Sequence, residues 1–193
     1  MTDYLDYFQK LIQCVQDIVI TCADYCKAAS YEEGIELLVQ EFLKTKSCDG
    51  KVFFIGNGGS AAIAIHMTAD FMKNGGMRAY SLYDSSVMTC MGNDYGYAEV
   101  FSRQLEALMN ENDLLVAISS SGNSLNIVNA INTAKKKNGK VITLSGFKTD
   151  NRIRQMGDYN VYVGIEHYGI VESVHNLLLQ QVVDMILERN VTQ

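Results

Sequence analysis

Histidine occurs three times in the chain, at His66, His167 and His175, so any imidazole chemistry must be built from these. His66 and Asp70 are four residues apart in a segment of helical period, which puts both on one helix face. Near the other end, Glu172 and His175 are three apart and Gln180 lies about two turns beyond Glu172. A carboxylate beside a histidine can move a proton, and the same residue types hold divalent metals. Two further clusters suit an anion. Gly56-Asn57-Gly58-Gly59-Ser60 follows the apolar run Val52 to Ile55, and Ser119-Ser120-Ser121-Gly122-Asn123-Ser124 follows Leu114 to Ile118. Small residues between a strand and a helix let backbone N–H groups reach an anion at the positive end of the helix dipole. The hydroxyls of Ser60, Ser119, Ser121 and Ser124 add neutral donors. Either loop alone reads first as a tight turn with a serine N-cap; the repetition at two strand ends reverses this and favours the anion. No G-K-[ST] follows and neither loop is G-x-G-x-x-G, which points to a phosphate monoester rather than a nucleotide.

The elements that must position these residues are readable from periodicity. Leu5, Phe8, Leu11, Ile12, Val15, Ile18, Val19 and Cys22 recur three or four apart and predict a first helix that also carries Cys22 and Cys26 at helical spacing. Ser30 and Glu33 have the form of a capping box opening a second helix, with Ile35, Leu38, Val39, Phe42 and Leu43 on its apolar face. From Lys51 onward, short β-rich runs at 52–55, 79–83, 114–118, 141–144 and 160–163 alternate with helices beginning near Ser60, Ser85, Tyr97, Ser124 and Asn151, and a last helix covers about 170–188. That alternation predicts an α/β fold: a doubly wound parallel sheet of five strands, flavodoxin-like, flanked by helices, with an N-terminal helical extension. Ligands of such sheets bind beyond the carboxyl ends of the strands, where both loops fall.

The chain of 193 residues, 48% hydrophobic and 20% charged, shows no linker or low-complexity tract, so one domain is expected over 1–193. Residues 1–47 would serve packing and oligomerisation, and 48–193 would form the α/β core. Sixteen basic against 22 acidic side chains, a net charge of −6, leave no footprint for nucleic acid or a membrane surface. There is no apolar run long enough to span a bilayer and no signal-like N-terminus, so a cytoplasmic protein is expected. Five cysteines without a C-x-x-C pair fit a reducing compartment.

The ordered set Gly56-Asn57-Gly58-Gly59-Ser60-Ala61-Ala62, His66, Gly92-Asn93-Asp94-Tyr95-Gly96, Phe101-Ser102-Arg103-Gln104 and Ile118 through Ser124 resembles the SIS (sugar isomerase) phosphosugar domains, and among them the sedoheptulose-7-phosphate (phosphoheptose) isomerases. The resemblance runs over nearly the whole chain. It implies a phosphosugar substrate held by Asn57, Gly58, Gly59, Ser60, Asp94, Ser119, Ser120, Ser121 and Ser124. It also implies aldose–ketose interconversion of a heptose-type sugar phosphate through an enediolate, and a homotetramer with interfacial sites. Such a reaction needs a base beside the carbonyl, an acid for its oxygen and stabilisation of the enediolate.

The resemblance places a metal histidine at His66, where this chain matches, and a glutamate acting as ligand and base where this chain has Asp70. It places a glutamine and a histidine where this chain has Glu172 and Gln180, and an arginine where it has Asn74. Two readings follow. In one, His66, Asp70, Glu172 and Gln180 hold a divalent metal, zinc first, and Asp70 or Glu172 is the catalytic base. In the other, chemistry is lost and a non-catalytic phosphosugar-binding or protein-binding module remains. His175 is expected to be a packing residue, His167 a loop residue, and Arg103 an interface or ligand residue.

Overall fold

Residues 4–22 and 27–191 are described by a computed structural model. The five β-rich runs become β2 (Lys51–Ile55), β3 (Arg78–Ser81), β4 (Leu114–Ser119), β5 (Lys140–Gly146) and β6 (Tyr159–Val163). All pair in parallel as expected. A sixth strand corrects the five-stranded expectation: β1 (Val19–Cys22) pairs antiparallel with β6 at the sheet edge. The helical period of the N-terminal segment hides it, but Ile18 to Thr21 is an unbroken β-branched run, which packs poorly in a helix and well on a pleated surface. The first helix, α1 (Tyr4–Gln16), therefore stops short of Cys22, and Cys22 lies in a strand; Cys26 falls outside the described residues.

Across the sheet the order is β1-β6-β5-β4-β2-β3. From β2 the chain moves outward to β3, then returns past β2 to β4 and continues the other way. The carboxyl ends of β2 and β4 thus flank the switch point, where an α/β sheet opens a crevice.

Strand alternation sorts the core into two layers. Val52, Phe54, Leu114, Val116 and Ile118 face the helices α2 (Tyr31–Ser47), α3 (Gly59–Lys73) and α7 (Tyr168–Val191). Phe53, Ile55, Leu115 and Ala117 face α5 (Ser102–Leu108) and α6 (Leu125–Lys136). Helix α2 begins as its capping pattern predicts, with Ser30 Oγ accepting from Glu33 N at 3.2 Å. Helix α1 packs Tyr7, Leu11, Cys14 and Val15 on the core and leaves Tyr4, Leu5, Phe8 and Ile12 exposed. The helices expected at Tyr97 and Asn151 are short 3₁₀ turns, Tyr97–Glu99 and Arg152–Gln155. Asp94 lies in the last turn of α4 (Ser85–Tyr95), which Gly96 ends at φ +85°. Among the described residues no helix is long and apolar enough to cross a membrane.

Candidate functional site

The first loop leaves β2 through Gly56, where any Cβ would lie 2.6 Å from the Ser60 carbonyl, so only glycine fits. The Tyr83 hydroxyl holds this residue at both ends, accepting from Gly56 N at 2.6 Å and donating to Gly56 O at 2.7 Å. Burial holds the Tyr83 phenol protonated, far above its ordinary range, so the donating half of that pair persists at any working pH. Gly58, at φ +55°, turns the chain into α3 in a conformation side chains resist. As the N-cap residue it contributes no side chain, which leaves the first turn of α3 open to an anion.

The second loop leaves β4 at Ser119, whose carbonyl accepts from Gly122 N at 2.9 Å. Gly122, at φ +66°, passes so close to the Asn151 amide that a side chain there would collide with it. Asn151 is itself buried and bound to Gly146 O and Lys148 O, so the loop rests on a fixed wall. Ser124 is the N-cap of α6, yet its hydroxyl makes no capping bond to the helix.

Between the two loops lies a cavity of about 110 Å³ lined by Asn57, Ser60, Ser119, Ser120, Ser121, Ser124, Tyr168 and Glu172. It is smaller than pockets that enclose whole cofactors, and suits one small anionic group. Among the described residues, Ser120 Oγ and His175 Nδ1 are the buried side-chain polar atoms without a hydrogen-bond partner. Ser120 is 4% exposed, and an unpaired hydroxyl at that depth is costly, as expected of a donor awaiting a ligand. Glu172 closes the opposite side. Its carboxylate lies against Gly59, so near that a Cβ on Gly59 would come within 2.5 Å of its Cδ. A carboxylate at the first turn of a helix is favoured by the dipole, which fixes its position without a dedicated side-chain partner.

The other expected site residues separate from this cavity. Asn57 lines it, but the Asn57 and Asn126 side-chain amides bond each other reciprocally, at 2.9 and 2.8 Å. His66 Nε2 lies 3.5 Å from Asp70 Oδ2 on the outer part of α3, with the His66 side chain 55% exposed. At 1.5 Å per residue, His66 is about 10 Å and Asp70 about 16 Å along the helix from Gly59. Gln180, about 12 Å along α7 from Glu172, donates to Asp184 Oδ1 at 3.0 Å and lines a groove with Tyr31 and Gln181. Asp94 is exposed, and its carboxylate accepts from Asn93 and Cys90. Among the described residues no three His, Cys, Asp or Glu side chains are grouped closely enough to hold a metal ion. Within one chain, the set of His66, Asp70, Glu172 and Gln180 therefore does not fit a metal.

His175 is fully buried, with Nε2 3.2 Å from Ser145 O, and burial lowers its pKa to about 4, as suits a packing histidine. His167 is more than a loop residue, since its Nδ1 accepts from Ile170 N at the start of α7 and its ring packs edge-on to Tyr7. Arg103 pairs with Glu106 and lies over the Tyr95 ring. Residues that sequence reading misses are Tyr168, which lines the cavity and packs on Phe147, and the supports Tyr83, Asn126 and Asn151. Only the Tyr168-Gly169 pair that opens α7 could have signalled the first.

A family model for the SIS domain matches residues 20–146. The phosphoheptose isomerase of Edwardsiella ictaluri is 34% identical over 182 residues, covering 92% of this chain and 91% of that protein. The solved phosphoheptose isomerase of Neisseria gonorrhoeae superposes with a TM-score of 0.81 at 33% identity, covering 94% of this chain and 96% of that one. That of Francisella tularensis also gives 0.81, at 27% identity over 95% and 96%. With its serine loop and glycine loop facing each other across the switch point, the chain belongs to the SIS-domain family and, within it, to the phosphoheptose isomerase group.

Proposed function

We propose that the protein interconverts the ketose and aldose forms of a heptose-type sugar phosphate. The observation that carries this is the cavity at the switch point, where an unpartnered buried Ser120 hydroxyl faces the same space as the Glu172 carboxylate. The phosphate is held by the hydroxyls of Ser119, Ser120, Ser121 and Ser124 and by the N-terminal end of the α6 dipole. A net acidic chain can hold an anion in this way, because neutral donors and helix termini need no basic side chain.

Of the two candidate bases, Glu172 reaches the cavity and Asp70 does not. Glu172 removes the proton from the hydroxyl-bearing carbon beside the carbonyl, leaving an enediolate, and the proton of that hydroxyl passes to the former carbonyl oxygen as the neighbouring oxygen becomes the new carbonyl. Return of the proton from Glu172 to the neighbouring carbon completes the transfer, so a single carboxylate serves both half-reactions. Ser60, next in the chain to Gly59, supplies a neutral donor on the Glu172 side. The apolar side chains that α1 leaves exposed, Tyr4, Leu5, Phe8 and Ile12, support assembly into the expected homotetramer.

The test is incubation with sedoheptulose 7-phosphate and a panel of other ketose phosphates, following aldose formation by NMR. Turnover that disappears in Glu172→Gln while phosphate binding persists is the expected result. Phosphosugar binding without turnover of any of them would leave a binding module instead.

A further inference from the structure

We infer that Asn126 and Tyr97 are positioning residues that, through Asn57, lock the two phosphate-site loops to each other across the switch point. This rests on the phosphosugar reading of that site. Asn57 belongs to the loop after β2, Asn126 to the first turn of α6 just beyond the loop after β4, and Tyr97 to the 3₁₀ turn after α4. Asn57 Nδ2 donates to Asn126 Oδ1 at 2.9 Å, and Asn126 Nδ2 donates back to Asn57 Oδ1 at 2.8 Å. The Tyr97 hydroxyl donates to the same Asn57 Oδ1 at 2.9 Å, and Ile127 N donates to Asn126 Oδ1 at 3.0 Å.

A carbonyl oxygen has two lone pairs, so both amide oxygens are saturated within the protein. The Asn57 side-chain oxygen therefore has no lone pair left for a sugar hydroxyl, although the residue borders the cavity. Its role is to fix distance. The pair joins a loop that carries the Glu172 seat to a helix start that carries Ser124, and Asn126 is 2% exposed, where an amide hydrogen bond is strongest. Tyr97 is held in turn, since Asn129 Nδ2 on α6 donates to Ala98 O at 3.1 Å and to Glu99 Oε1 at 2.7 Å. Asn57 and Ser124 line both the serine cavity and a wider neighbouring one of about 350 Å³, and Asn126 lines the wider one, so the pair stands at the boundary between them. Breaking it merges the two spaces and lets the serine hydroxyls drift from one another.

The experiment compares Asn57→Ala, Asn126→Ala, their double variant, Asn126→Asp and Tyr97→Phe with the wild type. It measures inorganic phosphate affinity by calorimetry, KM and kcat with sedoheptulose 7-phosphate, and thermal unfolding. Each asparagine variant should weaken phosphate about tenfold and raise KM in step, with kcat changing by less than about threefold. Tyr97→Phe, which removes one of the donors to Asn57, should weaken phosphate by about two- to threefold. The double variant should lose no more than the worse single one, because both remove the same link. Asn126→Asp keeps the size and the acceptor but loses the donor and adds a charge that itself repels phosphate, so it should weaken phosphate at least as much as Asn126→Ala; Asn57→Ala, which breaks the same link without a charge, carries the test if Asn126→Ala fails to fold. Phosphate affinity within twofold of wild type in folded Asn126 variants would overturn the inference, as would losses that multiply in the double variant. A wild type that binds phosphate but turns over no sugar defeats the isomerase reading alone, and the clamp is then judged on phosphate affinity. A wild type that binds no phosphate defeats both.

Discussion

Gly59→Ala separates catalysis from folding in one substitution. Gly59 opens α3 and has no unusual φ, so alanine is tolerated by the backbone and should gain up to about 1 kcal/mol of helix propensity. The new Cβ would lie 2.5 Å from Glu172 Cδ and 2.6 Å from Oε1, where ordinary contact begins at 3.4 Å. The carboxylate must therefore retreat by about 1 Å, which a flexible glutamate does at little cost to the fold. A displacement of about 1 Å in a reacting group costs on the order of 100-fold in rate, or about 2.7 kcal/mol of barrier. Steady-state assay with sedoheptulose 7-phosphate should show kcat down by that order, while Tm stays level or rises by a few degrees. Phosphate affinity should change little, because the serine loop is untouched. The decisive arm is the Glu172→Ala background, where adding Gly59→Ala should cost nothing further, since Gly59 acts only through that carboxylate. Wild-type turnover in Gly59→Ala, or a loss that multiplies with Glu172→Ala, would refute the assignment of Glu172 as the base.

Three further outcomes are expected. Ser120→Ala removes a buried hydroxyl that has no hydrogen-bond partner within the protein, so it should raise stability by about 1 kcal/mol in a denaturant melt while weakening phosphate binding; destabilisation would mean the hydroxyl is already satisfied. His175 titrates near 4 in the folded protein against about 6.5 in the unfolded chain, so the unfolded state binds the extra proton between those values. Stability should thus be full above pH 6.5 and fall by about 3 kcal/mol as pH drops toward 4, and His175→Gln should flatten that slope in urea melts at several pH values. His66→Ala and Asp70→Ala should leave inorganic phosphate affinity within about twofold, since both lie more than a helical turn from the loop; a large loss would place them in the cavity.

The parallel core is legible because buried strands read as unbroken apolar runs, and Val52 to Ile55 and Leu114 to Ile118 are of that kind. The loops are legible for the same reason, as glycine and serine follow each run directly. The edge strand β1 is not, because Val19 and Cys22 continue the three-and-four spacing of α1 and only the β-branched chemistry of the residues between them signals a strand. Helical spacing tells which residues share a face but not which turn of the helix meets a ligand. Asp70 and Gln180 therefore look equivalent to Glu172 in the sequence, while the rise of each helix carries them away from the cavity. Asn126, Tyr83 and Tyr97 come from distant segments, and their hydrogen bonds to the glycine loop depend on tertiary placement that no local pattern encodes.

The antiparallel pairing of β1 also sets the order in which this chain becomes native. Val19 meets Tyr162, so the edge cannot close until β6 has been synthesised. At about 5–20 residues per second, the N-terminal strand waits on the order of ten seconds on the ribosome with its apolar residues unpaired. Contacts this far apart in sequence form late, after β2, β4 and β5 have assembled around nearer partners. The exposed amide side chains Gln9 and Gln13 and the half-buried Asp6 on α1 keep the waiting segment hydrated and discourage pairing with another nascent chain. Hydrogen exchange should accordingly find β1 and α1 opening together as the least protected unit, while β2 and β4, which carry the glycine and serine loops, exchange only on global unfolding.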